Sequence, residues 1–203
     1  MADYDIVNVA LRRIGASAIT SLSDGSNNAD VASDIYAEVR DTLLRSHPWN
    51  FATKRVQLTD SGNTPAFEFD YAYSLPADWL RTISVHDNDA GYGTLLYRME
   101  FLTDEWVIAT SSSSCYMRYI YQVTDTTLMT PDFRTVFAKY LARDLSIPLT
   151  ESNTLWEQID KEAKRAMAQV RSTDAMGSFP ELRPRGSWAS ARGGRYRDDF
   201  LND

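Results

Sequence analysis

Apolar and polar positions along the chain change period three times, and each change predicts a different kind of element. Over residues 3–14, Ile6, Val7, Ala10, Leu11 and Ile14 recur every three to four positions, predicting a helix that Asp3 caps and Gly15 stops. A loop-like stretch, SLSDGSNN (21–28), follows. A second helical stripe, Ala32, Ile35, Tyr36, Val39 and Leu43, predicts a helix over 29–46 ended by Pro48. The segment DTLLRSHPWNFATKR (41–55) then hands the chain from helical to alternating pattern, and Trp49 and Phe51 are expected to seal that junction.

Across 52–125 the period falls to two. Strands are expected at Lys54–Thr59, at Phe67–Tyr73 (where Phe67, Phe69, Tyr71 and Tyr73 share a face), and at Leu80–His86, Thr94–Met99, Glu105–Thr110 and Cys115–Val123. Turn signals at 61–63, 87–93 and 111–114 separate them, which suits a small antiparallel barrel or sandwich. Helical period returns at Thr130, an N-cap with Pro131 behind it, and runs through Phe133, Val136, Phe137, Tyr140, Leu141 and Leu145 until Pro148 closes it. A last helix is expected from Thr154, with Glu157 completing a capping box, to Ser172.

Four amphipathic helices of similar length pack most economically as one antiparallel bundle. The fold expected is therefore α+β: a four-helix bundle (1–50 and 126–176), a small antiparallel β domain inserted into it (51–125), and an extended C-terminal arm (177–203). From Gly177 onward periodicity ceases and Gly, Ser and Pro accumulate.

Charge narrows the functional classes. The formal net charge of the 203 residues is −7. Residues 1–176 hold 16 basic and 24 acidic residues, a net of −8. Such a body is poorly suited to grip phosphates. Residues 182–197 reverse the sign, with five arginines and no acid among aromatics. A single cysteine, Cys115, allows no internal disulfide and fits synthesis in a reducing compartment. Two acids precede the first base at the N-terminus, unlike a signal peptide, and no apolar run nears the ~20 residues of a membrane span.

Candidate chemistry is sparse. His47, before Pro48, suits a helix end, and His86 ends a strand; neither sits in a G-x-S-x-G context. Cys115 lies among apolar residues and reads as core. Asp87-Asn88-Asp89 hints at a calcium loop, but Tyr92 stands where that loop needs glycine and Arg98 where it needs glutamate, so a polar turn accounts for it better. Gly91-Tyr92-Gly93 lacks the rest of a phosphate-binding motif. The acid pairs Glu100/Asp104 and Asp104/Glu105 offer carboxylates for a glycoside or peptidoglycan hydrolase, the principal alternative function. No cofactor, metal site or catalytic residue is expected. The arm is the segment that favours binding: Phe179, Trp188, Tyr196 and Phe200 are spaced among Arg183, Arg185, Arg192 and Arg195, anchors typical of protein interfaces. The same mixture suits a single-stranded nucleic-acid binder, a further alternative that the acidic body disfavours.

The segments IVNVALRRIG (6–15), LLRSHPWNFATKRVQL (43–58), YAYSLPADWLR (71–81) and FAKYLARDLSIPLTES (137–152), in this order and spacing, resemble the tail tubular protein A family, the head-to-tail adaptors or gatekeepers of short-tailed bacteriophages. The resemblance covers about residues 4–175. It implies a helical bundle with a β domain and a structural, non-enzymatic virion protein made in the host cytoplasm. It also implies a ring of twelve copies between the portal and the tail nozzle, with a channel for genome ejection. Wall-degrading activity, proposed for some members, is not carried over, because no acid pair here matches a catalytic pattern. On this reading acidic residues line the channel so that DNA slides without specific binding. The arm, through the eight residues named above, contacts the portal, and loops carrying Asp87, Asn88, Asp89, Tyr92, Ser112 and Ser113 face the nozzle.

Overall fold

The computed structural model describes residues 2–91 and 95–177. In chain order it contains α1 (Asp3–Arg13), α2 (Asn27–Arg45), β1 (Thr53–Gln57), β2 (Tyr71–Ser74), β3 (Trp79–His86), β4 (Arg98–Leu102), β5 (Glu105–Thr110), β6 (Tyr116–Tyr121), α3 (Pro131–Thr150) and α4 (Asn153–Met176), with a short 3-10 turn at Asn50–Ala52. Among the described residues, no helix is long and apolar enough to cross a membrane.

Two antiparallel three-stranded sheets form, ordered β1-β6-β3 and β2-β5-β4. Their inner faces meet in a core of Val85, Met117 and Tyr119 from the first and Tyr73 and Ile108 from the second, joined by Leu58 and Cys115. Central strand β6 and part of β3 are covered on the other face too, while edge strand β1 keeps Lys54, Arg55 and Gln57 exposed. Along β6, Met117 and Tyr119 point to the second sheet, while Ile120 joins the helical core with Leu80 and Ile83 of β3 packed beside it. The alternation of a central strand thus serves two cores at once.

This overturns the expected four-helix bundle. The chain is α+β, but the helices do not enclose a core of their own. α1, α2 and α4 each pack on α3, and α2 also meets β3 and β6, so the sheet supplies a wall of the main core. The physical reason lies in α4. Its expected inward stripe was Leu155, Ile159, Ala163, Ala166, Met167 and Val170, yet only Ile159, Asp160, Ala163 and Met167 are buried. That stripe suffices to cover α3 and is too narrow to face a second helix as well.

Local corrections follow from caps and turns. Ser26 and Ser152, not Ala29 or Thr154, begin α2 and α4, their hydroxyls accepting from the N–H of Ala29 and Leu155 at 3.3 Å. α4 also runs to Met176, past Ser172. Ala2 occupies the cap position of α1, and Asp5 reaches back to accept its N–H at 2.8 Å. Pro148 does not close α3: it sits in the last turn, and the helix ends when Glu151 turns left-handed (φ 54°) and donates its N–H to the Ile147 carbonyl. So near the C-terminus a proline disturbs little of the helix beyond it. The strand expected at Phe67–Tyr73 shrinks to Tyr71–Ser74, because Glu68 adopts φ 74° and breaks the extended run. Phe67 is consequently 80% exposed while Phe69 is buried. The strand expected at Thr94–Met99 instead begins at Arg98.

Candidate functional site

The candidate catalytic groups are dispersed and mostly structural. Cys115 is fully buried, and burial pushes its thiol up to about 12, so it stays protonated. His86 Nε2 lies 3.0 Å from Ser84 Oγ on β3. His47 Nε2 lies 3.3 Å from Asp174 and stacks edge-on to Trp49. Among the described residues, no three His, Cys, Asp or Glu side chains gather as metal ligands do. Two shallow grooves of about 300 and 340 Å³ lie along α4 (Thr154 to Arg165) and between α1 and α3 (Ile6, Val9, Ala138). Neither is lined by Glu100, Asp104, Glu105 or a histidine. The acids proposed for hydrolysis flank no cleft there; they sit on one hairpin, β4–β5, with Asp104 in its turn.

The β region has two unlike ends. At the end away from the helices, the loops of 87–91 and 111–114 are brought together: Ser114 Oγ donates to the Asp87 carbonyl at 2.6 Å, and the Tyr73 hydroxyl donates to the Ser112 carbonyl at 2.9 Å. His86 pairs with Tyr116 beside them. Asp87, Asn88, Asp89, Ser112 and Ser113 therefore share one tip, although 111–114 lies more than twenty residues from 87–89 in sequence. Tyr92 lies outside the described residues, as do Phe179, Arg183, Arg185, Trp188, Arg192, Arg195, Tyr196 and Phe200 of the arm.

At the helix-facing end, a polar knot fastens the last turn of α4 to the junction after α2. The Asp174 carboxylate accepts the Asn50 N–H (3.3 and 3.4 Å), and Asn50 Nδ2 donates to the Asp174 carbonyl at 2.7 Å. Arg171 donates to the Ser46 carbonyl at 3.2 Å, and Arg81 of β3 donates to the Arg45 carbonyl at 3.1 Å. These cations occupy the carbonyl end of α2, where the helix dipole favours positive charge. Burial holds the His47 imidazole below its ordinary pKa; Asp174 opposes that shift, and Arg171 and Arg81 add to it. Gly177, where the arm departs, lies against Asn50, its backbone so placed that an added Cβ would meet Asn50 Nδ2 at 3.4 Å.

The same end carries a feature that sequence reading missed. On β4–β5, Met99 pairs with Ile108 and Phe101 with Trp106. By alternation, Phe101 and Trp106 continue the inner face that Met99 and Ile108 bury, yet they overhang it and are 60% and 50% exposed. Their rings meet edge to face at 5.6 Å. The turn joining the strands, Thr103-Asp104, has φ of 46° and 69°, the left-handed pair of a two-residue hairpin turn that normally needs Asn-Gly. The signal was present as FLTDEW, two residues between pairing strands. Thr-Asp is a poor turn pair, and the strand expected at Thr94–Met99 stops short of it.

No protein-family model matches the chain, and no curated protein matches its sequence.

Proposed function

We propose that the protein is a structural virion component, a head-to-tail adaptor of a short-tailed bacteriophage, assembling as a ring of twelve copies between portal and tail nozzle. The observation that carries this reading is the two-ended architecture. Two loops meet at one tip, and the arm leaves the body at the other end, beside the α2–β1 junction. An adaptor needs two separate contact regions on a stiff body, and the β1-β6-β3 sheet, whose central strand is packed on both faces, provides the stiffness between them. The order of the four resembling segments supports the same reading. The two grooves are lined by none of the candidate acids, so they lend the hydrolase alternative no support.

In this role the chemistry is mechanical and electrostatic. The −8 body repels a passing duplex, the loops bearing Asp87, Asn88, Asp89, Ser112 and Ser113 engage the nozzle, and the arginine-aromatic arm engages the portal. Electron microscopy of the purified protein with its portal tests the assembly: twelvefold rings seated on the portal are expected, and portals that stay bare would reject the adaptor role. Truncation after Gly177 separates the arm's contribution. Portal affinity should fall at least tenfold, the loss of a hot-spot cluster, and unchanged affinity would reject an arm contact.

A further inference from the structure

The β4–β5 hairpin presents an aromatic pair on the face of a sheet that is elsewhere buried, and it carries only negative charge near that pair. Asp104 lies in the turn between Phe101 and Trp106, Glu100 and Glu105 alternate to the reverse face of the same hairpin, and residues 99–109 contain no basic side chain. The neighbouring Arg98 is paired with Glu68 at 3.4 Å. Such a surface is complementary to guanidinium groups, which stack on aromatic faces while pairing with carboxylates.

The chain itself carries a segment of that chemistry. Residues 183–197 hold five arginines, Trp188 and Tyr196, with no acid. The arm also starts at the right end of the molecule. Gly177 adjoins Asn50, four residues from Lys54. Lys54 pairs with Asp78 at 2.7 Å, and three residues earlier Leu75 donates its N–H to the Trp106 carbonyl at 3.0 Å. That path bounds the separation of Gly177 and Trp106 at roughly 40 Å, counting ~3.5 Å per residue along the chain and one long side-chain bridge. Eleven residues, 178–188, span about that distance when extended, so every arginine from 192 onward has slack.

We propose that the arginine-rich segment 183–197 docks on the Phe101–Trp106 hairpin of its own chain. Arginine side chains cover the two rings and pair with Asp104 at the turn, and Glu100 and Glu105 on the reverse face add to the attraction at longer range. The docking stands whether or not the chain is an adaptor; if it is one, the portal must displace this contact to take the arm.

Limited trypsin digestion of the full chain, read by mass spectrometry, tests it at Arg185, Arg192, Arg195 and Arg197. The double variant Phe101→Ala/Trp106→Ala should accelerate cleavage at these sites ~10-fold, and the triple variant Glu100→Gln/Asp104→Asn/Glu105→Gln should do so several-fold, with cleavage in residues 1–177 unchanged. The charge variant alters exposed turn positions and keeps the fold testable if the aromatic variant misfolds. Raising salt should expose the same sites in the unaltered chain. Equal cleavage in all variants would overturn the proposal. Protection that grows with protein concentration would also overturn it, in favour of a second copy as the occupant.

Discussion

Two aromatic groups, one at the junction after α2 and one on the β4–β5 hairpin, are treated in opposite ways. Trp49, Phe133, Phe137 and half-buried Phe51 form one cluster, with Trp49 and Phe133 centroids 5.1 Å apart and Phe51 and Phe133 5.0 Å apart. Trp49 is fully buried, and its indole N–H donates at 2.9 Å to the Leu43 carbonyl, which also accepts from Ser46 at the end of α2. Phe101 and Trp106 have comparable ring geometry and little cover among the described residues. Ring pairing alone therefore does not make a core. What differs is enclosure: the first cluster is walled by α2, α3 and the sheet, while the second stands on a two-stranded overhang. Aromatics kept where nothing covers them point to a partner.

The sharpest way to break this contrast is truncation in each group. Trp49→Ala or Phe133→Ala should cost about 3–5 kcal/mol of stability, the range for large buried aromatics. Phe101→Ala and Trp106→Ala should each cost less than ~1 kcal/mol, the range for surface substitutions with partial packing. Urea unfolding monitored by circular dichroism measures both. Equal losses would mean that the overhang is a structural core.

A smaller effect is expected in the knot. Asp174→Ala removes acceptors for Asn50 and the partner of His47, and should cost about 0.5–1.5 kcal/mol, the net worth of hydrogen bonds whose exposed donor can turn to water. The loss should be local. No residue of α4 beyond Met167 is buried, so the last turns are held mainly by these polar bonds. Amide exchange should quicken in residues 170–176 while α3 keeps its protection. Asp160, farther back on α4, provides a reference: its carboxyl is held below the usual range by Lys164 first and Arg143 second, and it ties α4 to α3 independently of the knot.

How much of this was readable beforehand depends on the range of the interaction. Thr130 with Pro131, Gly15 at φ 74°, and the stripes of α1, α2 and α3 are set within a few residues, and they formed where local patterning placed them. β5 and most of β3 and β6 are likewise legible from alternation. The bundle was not, because whether a helix stripe meets another helix or a sheet is a choice of partner that periodicity does not encode. The same holds for the knot, whose bonding residues lie more than 120 positions apart. Of the candidate sites, the turns at 87–93 and 111–114 were legible in composition but the bond between Asp87 and Ser114 was not, and the Phe101–Trp106 pair was hidden by an atypical turn.

That turn supplies a prediction of opposite sign. Thr103, β-branched and left-handed at φ 46°, stores strain that Asn-Gly in the same two positions would relieve. Thr103→Asn with Asp104→Gly should raise stability by ~1 kcal/mol. A thermal melt reads the gain. If the double change destabilises, the native turn must be held by contacts beyond its own backbone preference.

The smallest expected effect concerns acidity at the knot. The folded-state pKa of His47 is depressed, so its contribution to stability is present above the unfolded value of about 6.5 and is lost as pH falls through and below that value. Protonation places a third positive charge beside Arg171 and Arg81 in a site screened from solvent, and pairing with Asp174 only partly offsets it. Stability should therefore decline modestly between pH 7.5 and 5.5, a window above the titration of ordinary carboxylates. In His47→Gln, which keeps a polar donor without the titration, the slope in that window should flatten. A slope that survives His47→Gln would assign the acid sensitivity elsewhere, and the knot would then be a fastening indifferent to pH.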